Sequence, residues 1–169
     1  MYPPTKILAR RTTLKAVLTT LGAAAIGYSK SGNANSPGEV VTVWKTPSCG
    51  CCKDWVTHLE ANGFAVRVND SGNTAARARL GIPTKLGSCH TSVVEGYAIE
   101  GHVPAREIIR LLREKPAVLG LAVPGMPVGS PGMDGAVYGD RRDPYDVLLV
   151  SRDGSTRVYQ SYNRTAKTA

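Results

Sequence analysis

The sequence predicts an α/β fold in three layers, with helices on both sides of a mixed β-sheet. Segments rich in β-branched residues alternate with helical patterns, and the β-α-β order at the start is typical of a parallel strand pair. The chain has 169 residues, 42% of them hydrophobic, which suits one domain with its own core. We assign this domain to residues 40–163, after a flexible lead-in at 35–39 and before a frayed tail at 164–169.

The first half of the domain supplies the β-α-β unit. A β-branched and aromatic run at 40–44 predicts the first strand, and the helical spacing that follows ends at Asn62. Residues 64–68 alternate as a second strand, and residues 73–80 predict a short helix.

The second half begins with two strands and a helix. Residues 91–94 and 97–100 predict strands joined by a turn, and Pro104 occupies the first position of the helix. We expect this helix to bury its four large apolar residues, Ile108, Ile109, Leu111 and Leu112.

The remainder of the domain follows a less regular pattern. Residues 125–133 are too rich in glycine and proline for a helix or a central strand, so we expect a loop. Residues 147–150 and 156–159 then predict a C-terminal β-hairpin.

This order of elements, with cysteines after the first strand, resembles the thioredoxin fold. In that fold, the loop before the third strand lies against the N-terminus of the first helix, and here that loop is 87–90. We therefore expect four residues to converge, and we call them the cysteine cluster: Cys49, Cys51, Cys52 and Cys89.

Residues 1–34 resemble an export signal. They carry five basic and no acidic residues, with an apolar run at 16–26 that is too short to span a bilayer and small residues before the expected cleavage point. Arg10 and Arg11 resemble the pair of a twin-arginine signal, although Thr13 stands where that signal usually has Phe, and a Sec signal can also contain paired arginines. We expect a periplasmic protein with no membrane span after cleavage.

Removal of this segment lowers the net charge from +8 to about +3, because sixteen basic residues then face thirteen acidic ones. The remaining charges are interspersed and the chain has one phenylalanine, a pattern that argues against nucleic-acid binding. A solvated surface is the better interpretation.

The cysteine spacing favours a metal site over two disulfides, the usual arrangement for four cysteines in an exported chain. Adjacent cysteines form a bridge only with backbone strain, and the three clustered thiols have one distant partner, Cys89. Thiols at a helix N-terminus ionise readily, and thiolates bind soft metals.

Copper is the metal that suits these ligands best. Cu(I) favours thiolate and thioether ligands, and closely spaced thiolates can bridge two ions, so we expect a multinuclear Cu(I)–thiolate cluster. Structural zinc sites normally use two separated pairs of ligands, and iron–sulfur spacings differ from C-x-C-C. Zinc bound by all four cysteines stays open as the second choice.

Dithiol redox chemistry is the alternative to metal binding. Cys49 and Cys52 have the C-x-x-C spacing of thiol–disulfide oxidoreductases, in which one cysteine attacks a disulfide and its neighbour resolves it. Cys51 and Cys89 would then be surplus to the reaction.

Four ordered motifs resemble a known family. They are TPSCGCCKDW (46–55), SCHT (88–91), EGHVPA (100–105) and PGMP (124–127) with GSPGM (129–133). Over roughly 41–162, the chain is similar to the predicted metal-binding family that includes the copper-resistance protein CopG.

The resemblance implies a periplasmic thioredoxin-like protein whose cysteines hold a polynuclear copper cluster. It also implies a role in interconverting Cu(I) and Cu(II) during copper detoxification. Whether the chain is an enzyme, a copper oxidoreductase, stays open, and no catalytic residue is assigned apart from the metal site.

Three further soft donors are candidate accessory ligands: His102, Met126 and Met133. His102 could bind copper or carry a proton, or it could lie at the surface or cap the next helix. Both methionines lie in the Gly/Pro loop, where a thioether could capture Cu(I) or close the site. We expect His90 to support the site or face solvent, and His58 to lie at the surface or pack.

A copper chaperone without redox activity is a third interpretation. It would deliver copper to a cuproenzyme or an efflux pump. A periplasmic redox partner or a copper efflux system is therefore the partner that the copper hypotheses imply, besides copper ions themselves.

Overall fold

A computed structural model describes residues 38–164, so the expected signal and most of the lead-in and tail lie outside the described residues. The strands are β1 (Val40–Lys45), β2 (Ala65–Asn69), β3 (His90–Val94), β4 (Tyr97–Glu100), β5 (Gly120–Ala122), β6 (Tyr145–Val150) and β7 (Thr156–Tyr162). The α-helices are α1 (Gly50–Ala61), α2 (Thr74–Arg79) and α3 (Ala105–Glu114), with 3₁₀ turns at Thr84–Leu86 and Ala136–Tyr138. No helix in the described range is long and apolar enough to cross a membrane.

The strands of the described residues form one mixed sheet in the order β2-β1-β3-β4-β5-β6-β7. β1 and β2 are parallel, as the β-α-β order predicts. β3 is antiparallel to both β1 and β4, whereas β4 and β5 are parallel. The expectation of an α/β fold with a mixed sheet is confirmed.

Both faces of the sheet are covered. The larger core lies between the sheet, α1 and α3, and its fully buried members include Val41, Val43, Trp55, Leu59, Ile99, Ile108, Leu111 and Val147. On the opposite face, Ala98 and its neighbours pack against Ile82 and Leu86, which follow α2. Successive residues of a strand point to opposite faces, so Ala98 and Ile99 enter different cores.

The expectation that α3 buries four apolar residues is wrong for Ile109. This side chain is 44% exposed and Leu112 is half-buried, whereas Ile108 and Leu111 are fully buried. Neighbouring positions are separated by 100° around a helix axis, and the buried side of α3 contains Ala105, Ile108 and Leu111, which leaves Ile109 outside it.

Strand β5 is an element that the sequence pattern did not predict. It has three residues and begins at Gly120, where a side chain would collide with the backbone of Ala98 in β4. β5 joins the C-terminal hairpin to the rest of the sheet, because it pairs with β4 on one side and β6 on the other. The predicted hairpin itself is confirmed as β6 and β7.

Truncation of Ile108 tests how strongly α3 is anchored to the core. We expect Ile108→Ala to lower the free energy of unfolding by about 2–5 kcal/mol, because the side chain is fully buried and its removal leaves a cavity. Val137→Ala is the control, since Val137 is 87% exposed, and it should change stability by less than about 0.5 kcal/mol. Urea denaturation measures both; equal losses would contradict this packing.

Candidate metal centre

The cysteine cluster lies at the N-terminus of α1 and in the loop before β3. Cys49 is the N-cap residue of α1, Cys51 and Cys52 lie in its first turn, and Cys89 immediately precedes β3. The four sulfur atoms all lie within 4.8 Å of one another. The structure therefore brings together the residues that the sequence analysis expects to converge.

Two of these sulfurs are already joined to each other. Cys49 and Cys52 form a disulfide, whereas Cys51 and Cys89 are free thiols. The expectation of four free thiols is therefore wrong for Cys49 and Cys52, which have the C-x-x-C spacing of the dithiol alternative. The physical reason is the start of α1, which places the Cα atoms of Cys49 and Cys52 5.4 Å apart, within the usual range for a disulfide. Metal binding by all four sulfurs requires reduction of this bond.

Cys51 occupies the middle of the cluster. Its sulfur lies 3.6 Å from that of Cys49 and 3.8 Å from that of Cys89. Cys52 is fully buried, and its sulfur contacts the carbonyl oxygen of Cys89 at 3.7 Å. Cys51 is thus the free thiol that contacts both halves of the cluster.

The thiol of Cys89 is held in its protonated form. Burial raises its pKa to about 12, and the neighbouring sulfur of Cys51 acts in the same direction. A metal ion that binds Cys89 must therefore displace a proton, because the thiolate is the form that coordinates metals.

His102 is fully buried and lies directly beside Cys89. Its Nε2 is 3.0 Å from the Cys89 sulfur, and its Nδ1 is 2.8 Å from the carbonyl oxygen of Pro131. A carbonyl oxygen can only accept, so Nδ1 carries the proton, and burial lowers the pKa of the ring and favours its neutral form. The lone pair of Nε2 therefore faces Cys89. The surface and capping interpretations of His102 are wrong, and it is His58 that accepts a hydrogen bond from the first amide of α3.

His90 lies against the cluster, so of the two alternatives expected for it, exposure to solvent is wrong and a place beside the site remains. It is fully buried, its Nδ1 lies 3.4 Å from the Cys89 sulfur, and its ring centroid is 4.3 Å from that of Trp55. Burial holds the pKa of His90 well below its usual value, so the ring is neutral. Within residues 38–164, its Nε2 has no hydrogen-bond partner.

The two candidate methionines occupy different environments. Met133 is 8% exposed, and its sulfur accepts a hydrogen bond from the Tyr138 hydroxyl at 3.3 Å. Met126 is 53% exposed and follows Gly125, whose backbone amide donates to Gly87 beside the cluster. Met133 is therefore a packed residue, and Met126 is an exposed residue whose neighbour Gly125 is bonded to the loop before Cys89.

The loop after β5 packs directly on the start of α1. At Gly132, where φ is +83°, a Cβ atom would lie 2.5 Å from the carbonyl oxygen of Cys51 and 2.8 Å from the amide nitrogen of Trp55. Pro131 in the same loop binds His102. The absence of a side chain at Gly132 allows the loop to reach the cluster.

No sequence pattern indicated the buried polar network that lies beside Cys89. Glu100 is fully buried and accepts hydrogen bonds from Arg77, Ser88 and Thr91. Arg77 has the pattern of an ordinary charged residue on a surface helix, so no local signal connects it with Glu100. Only the fold places them together.

The chain is similar to proteins of known structure. A family model described as a protein of unknown function, DUF411, matches residues 86–133. Two solved structures, named copper resistance protein CopG, form 1 and form 2, are each 48% identical to this chain, with a TM-score of 0.68. Each match covers 74% of this chain and 98% of the other. No curated protein sequence matches the chain significantly.

Alkylation of the metal-free protein tests the state of each cysteine. Without reductant, iodoacetamide should modify Cys51 and Cys89, whereas Cys49 and Cys52 should react only after reduction. The rate at Cys89 should still rise at about pH 10, because burial keeps its thiol protonated. Peptide mass spectrometry resolves each site. A rate at Cys89 that is constant above about pH 9, where ordinary cysteines are ionised, would contradict the buried thiol.

Substitution of Gly132 tests the contact between the loop and α1. Gly132→Ala should destabilise the protein and expose Cys51 to faster alkylation, because the new methyl group displaces the loop from the helix backbone. Gly125→Ala is a matched control: its φ is also positive, at +70°, but a Cβ there has no neighbour within 4 Å. The control should show only the conformational cost of about 1–2 kcal/mol. Equal alkylation of Cys51 in the two variants would show that the loop does not cover it.

Proposed function

The chain belongs to the family of the copper resistance protein CopG, and from this premise we propose that it binds copper through its cysteine cluster as part of copper resistance. The observation that carries the proposal is the convergence of four cysteine sulfurs within 4.8 Å. Sulfur ligands select soft metals such as Cu(I), whereas hard metals prefer oxygen. Zinc is the alternative metal, because it also accepts four cysteine ligands.

We further propose that the bound copper is multinuclear. The sulfur of Cys51 lies less than 4 Å from those of both Cys49 and Cys89, so one thiolate is close enough to its neighbours to be shared between ions. Bridging thiolates allow four sulfurs to bind several Cu(I) ions at low coordination number.

Two accessory donors complete the proposed site. His102 has its Nε2 lone pair directed at Cys89 and its Nδ1 fixed by Pro131, which is the usual arrangement for a metal-binding histidine. Met126 is the better placed thioether for capture of incoming Cu(I), since Met133 is packed against Tyr138.

The disulfide gives the site a redox step. In the reduced protein, Cys49 and Cys52 can each lose a proton and together transfer two electrons to two Cu(II) ions. This produces two Cu(I) ions and the disulfide, and a thiol reductant restores the dithiol. The same disulfide supports a second candidate function, thiol–disulfide exchange without copper, because it joins a C-x-x-C pair at a helix N-terminus.

The fold and the cellular location are part of the proposal. The parallel unit β1-α1-β2, the antiparallel β3 and β4, and the helix α3 support a thioredoxin-like domain. We propose that residues 1–34 direct export to the periplasm by the twin-arginine route, and that the mature chain begins after them.

Elemental analysis of the mature protein distinguishes copper binding from thiol exchange. Protein purified anaerobically from the periplasm of copper-fed cells should contain several copper ions per chain, and its intact mass should lack residues 1–34. Cys51→Ser should lose most of this copper, because it removes the central sulfur of the cluster.

Ser48→Ala is the control for this experiment, since it changes an exposed residue one position before the cluster without removing sulfur. It should retain the wild-type copper content. Copper-free wild-type protein that retains its Cys49–Cys52 disulfide would favour the thiol–disulfide oxidoreductase.

A further inference from the structure

Glu100 is a carboxylate with no exposed surface, at the end of β4. One carboxylate oxygen accepts from the backbone amide of Ser88 at 2.6 Å and from Nε of Arg77 at 2.9 Å. The other accepts from the hydroxyl of Thr91 at 2.6 Å. A second guanidinium nitrogen of Arg77 lies 2.7 Å from Glu100, so the two residues form an ion pair as well.

Arg77 also binds the other polar group of the Ser88 backbone, together with Asn73. The Ser88 carbonyl accepts hydrogen bonds from Arg77 and from the side chain of Asn73, the latter at 3.0 Å. Both the amide and the carbonyl of Ser88 are therefore bound by side chains, immediately before Cys89.

Stability alone is a weak explanation for this network. Removing a carboxylate and a guanidinium from water costs several kcal/mol, and apolar residues of similar volume often stabilise a fold equally well. An ion pair with several directional hydrogen bonds does provide something that apolar packing does not, which is a defined position for the groups it binds. Here the bound group is the Ser88 backbone.

We propose that Arg77 and Glu100 are positioning residues that hold Cys89 beside Cys51 by fixing the backbone of Ser88. The inference rests on the proposed copper site, in which Cys89 is a ligand. Cys89 is also the one sulfur of the cluster that does not belong to the start of α1. Three cysteines receive their places from one helix turn, whereas Cys89 depends on its loop. The hydrogen bonds of the network constrain that loop on both sides of the Ser88 backbone.

The geometry on the opposite side of Ser88 supports the same role. The Ser88 hydroxyl donates to the carbonyl of Gly125. A Cβ atom at Gly101, where φ is +70°, would lie 2.5 Å from the Ser88 hydroxyl oxygen, so Ser88 is enclosed on this side as well. The loop that carries Cys89 therefore has little freedom to move away from α1.

Oxidative cross-linking of the metal-free protein measures this positioning directly. Diamide accepts two electrons and two protons from Cys51 and Cys89 as they form a disulfide, and the rate depends on how often their sulfurs meet. We expect Glu100→Gln to slow this reaction at least tenfold, because the neutral amide cannot accept all the hydrogen bonds that the carboxylate accepts. Peptide mapping distinguishes the new disulfide from the existing Cys49–Cys52 bond.

Glu107→Gln is a matched control. Glu107 is also a buried carboxylate, but its partners are Arg106 and the hydroxyl of Tyr162, and neither belongs to the Cys89 loop. The Glu107→Gln variant should have a lower free energy of unfolding in urea denaturation, but it should cross-link at the wild-type rate. If Glu100→Gln cross-links at the wild-type rate, or Glu107→Gln is slowed as much, the positioning role is wrong.

Arg77→Lys provides a second test if Glu100→Gln does not fold. Lysine keeps the charge but cannot bind Glu100 and the Ser88 carbonyl with one planar fork, so cross-linking should again be slower than in the control. A wild-type rate in Arg77→Lys would also overturn the proposal.

Copper titration separates this inference from the proposed function. Glu100→Gln should bind Cu(I) at least tenfold more weakly than Glu107→Gln. If Glu100→Gln cross-links slowly and the wild-type protein binds no copper, the positioning role is retained and the copper site is rejected. Normal cross-linking with normal copper binding would reject the positioning role alone.

Discussion

The antiparallel pairing of β1 with β3 is the interaction on which the site depends. β1 ends at Lys45, which pairs with His90, the first residue of β3. Because the strands run in opposite directions, the segment that follows β1 lies beside the segment that precedes β3. The first segment enters α1 with three cysteines and the second carries Cys89, so one strand pair brings together four sulfurs from two distant parts of the sequence.

Burial then determines the chemistry of this assembly. The side of the cluster that faces the core contains His90, His102 and Trp55, all fully buried. Exclusion of water keeps both imidazoles neutral and Cys89 protonated, so these three groups carry no charge in the metal-free protein. A soft cation that displaces thiol protons is well suited to such a site. The disulfide between Cys49 and Cys52 lies in the same site, and it can accept two electrons and two protons to become a dithiol.

Structure that depends on local interactions was predictable from the sequence, whereas structure that depends on contacts between distant residues was not. Elements with a local pattern were predicted well, including the β1-α1-β2 unit and the final hairpin. Strand β5 was missed, because three residues that begin with Gly120 have no periodicity and gain their structure by pairing with β4 and β6. Whether His90 is buried or exposed stayed open for a similar reason, since the packing of Trp55 against it is a contact between distant residues.

The sequence by itself determined which metal-binding side chains this protein has. It also determined that three of the four cysteines lie close together, because C-x-C-C places them within four residues of one another in any local conformation. It also determined an α/β fold, since hydrophobic periodicity is a local property of the chain. Only the three-dimensional structure decided that Cys49 and Cys52 are joined, that His102 faces Cys89, and that Glu100 binds the loop before it. The disulfide depends on the helical start of α1, which sets the distance between its two cysteines. The other two contacts depend on distances between side chains from separate elements, and such distances are defined only once the sheet has assembled.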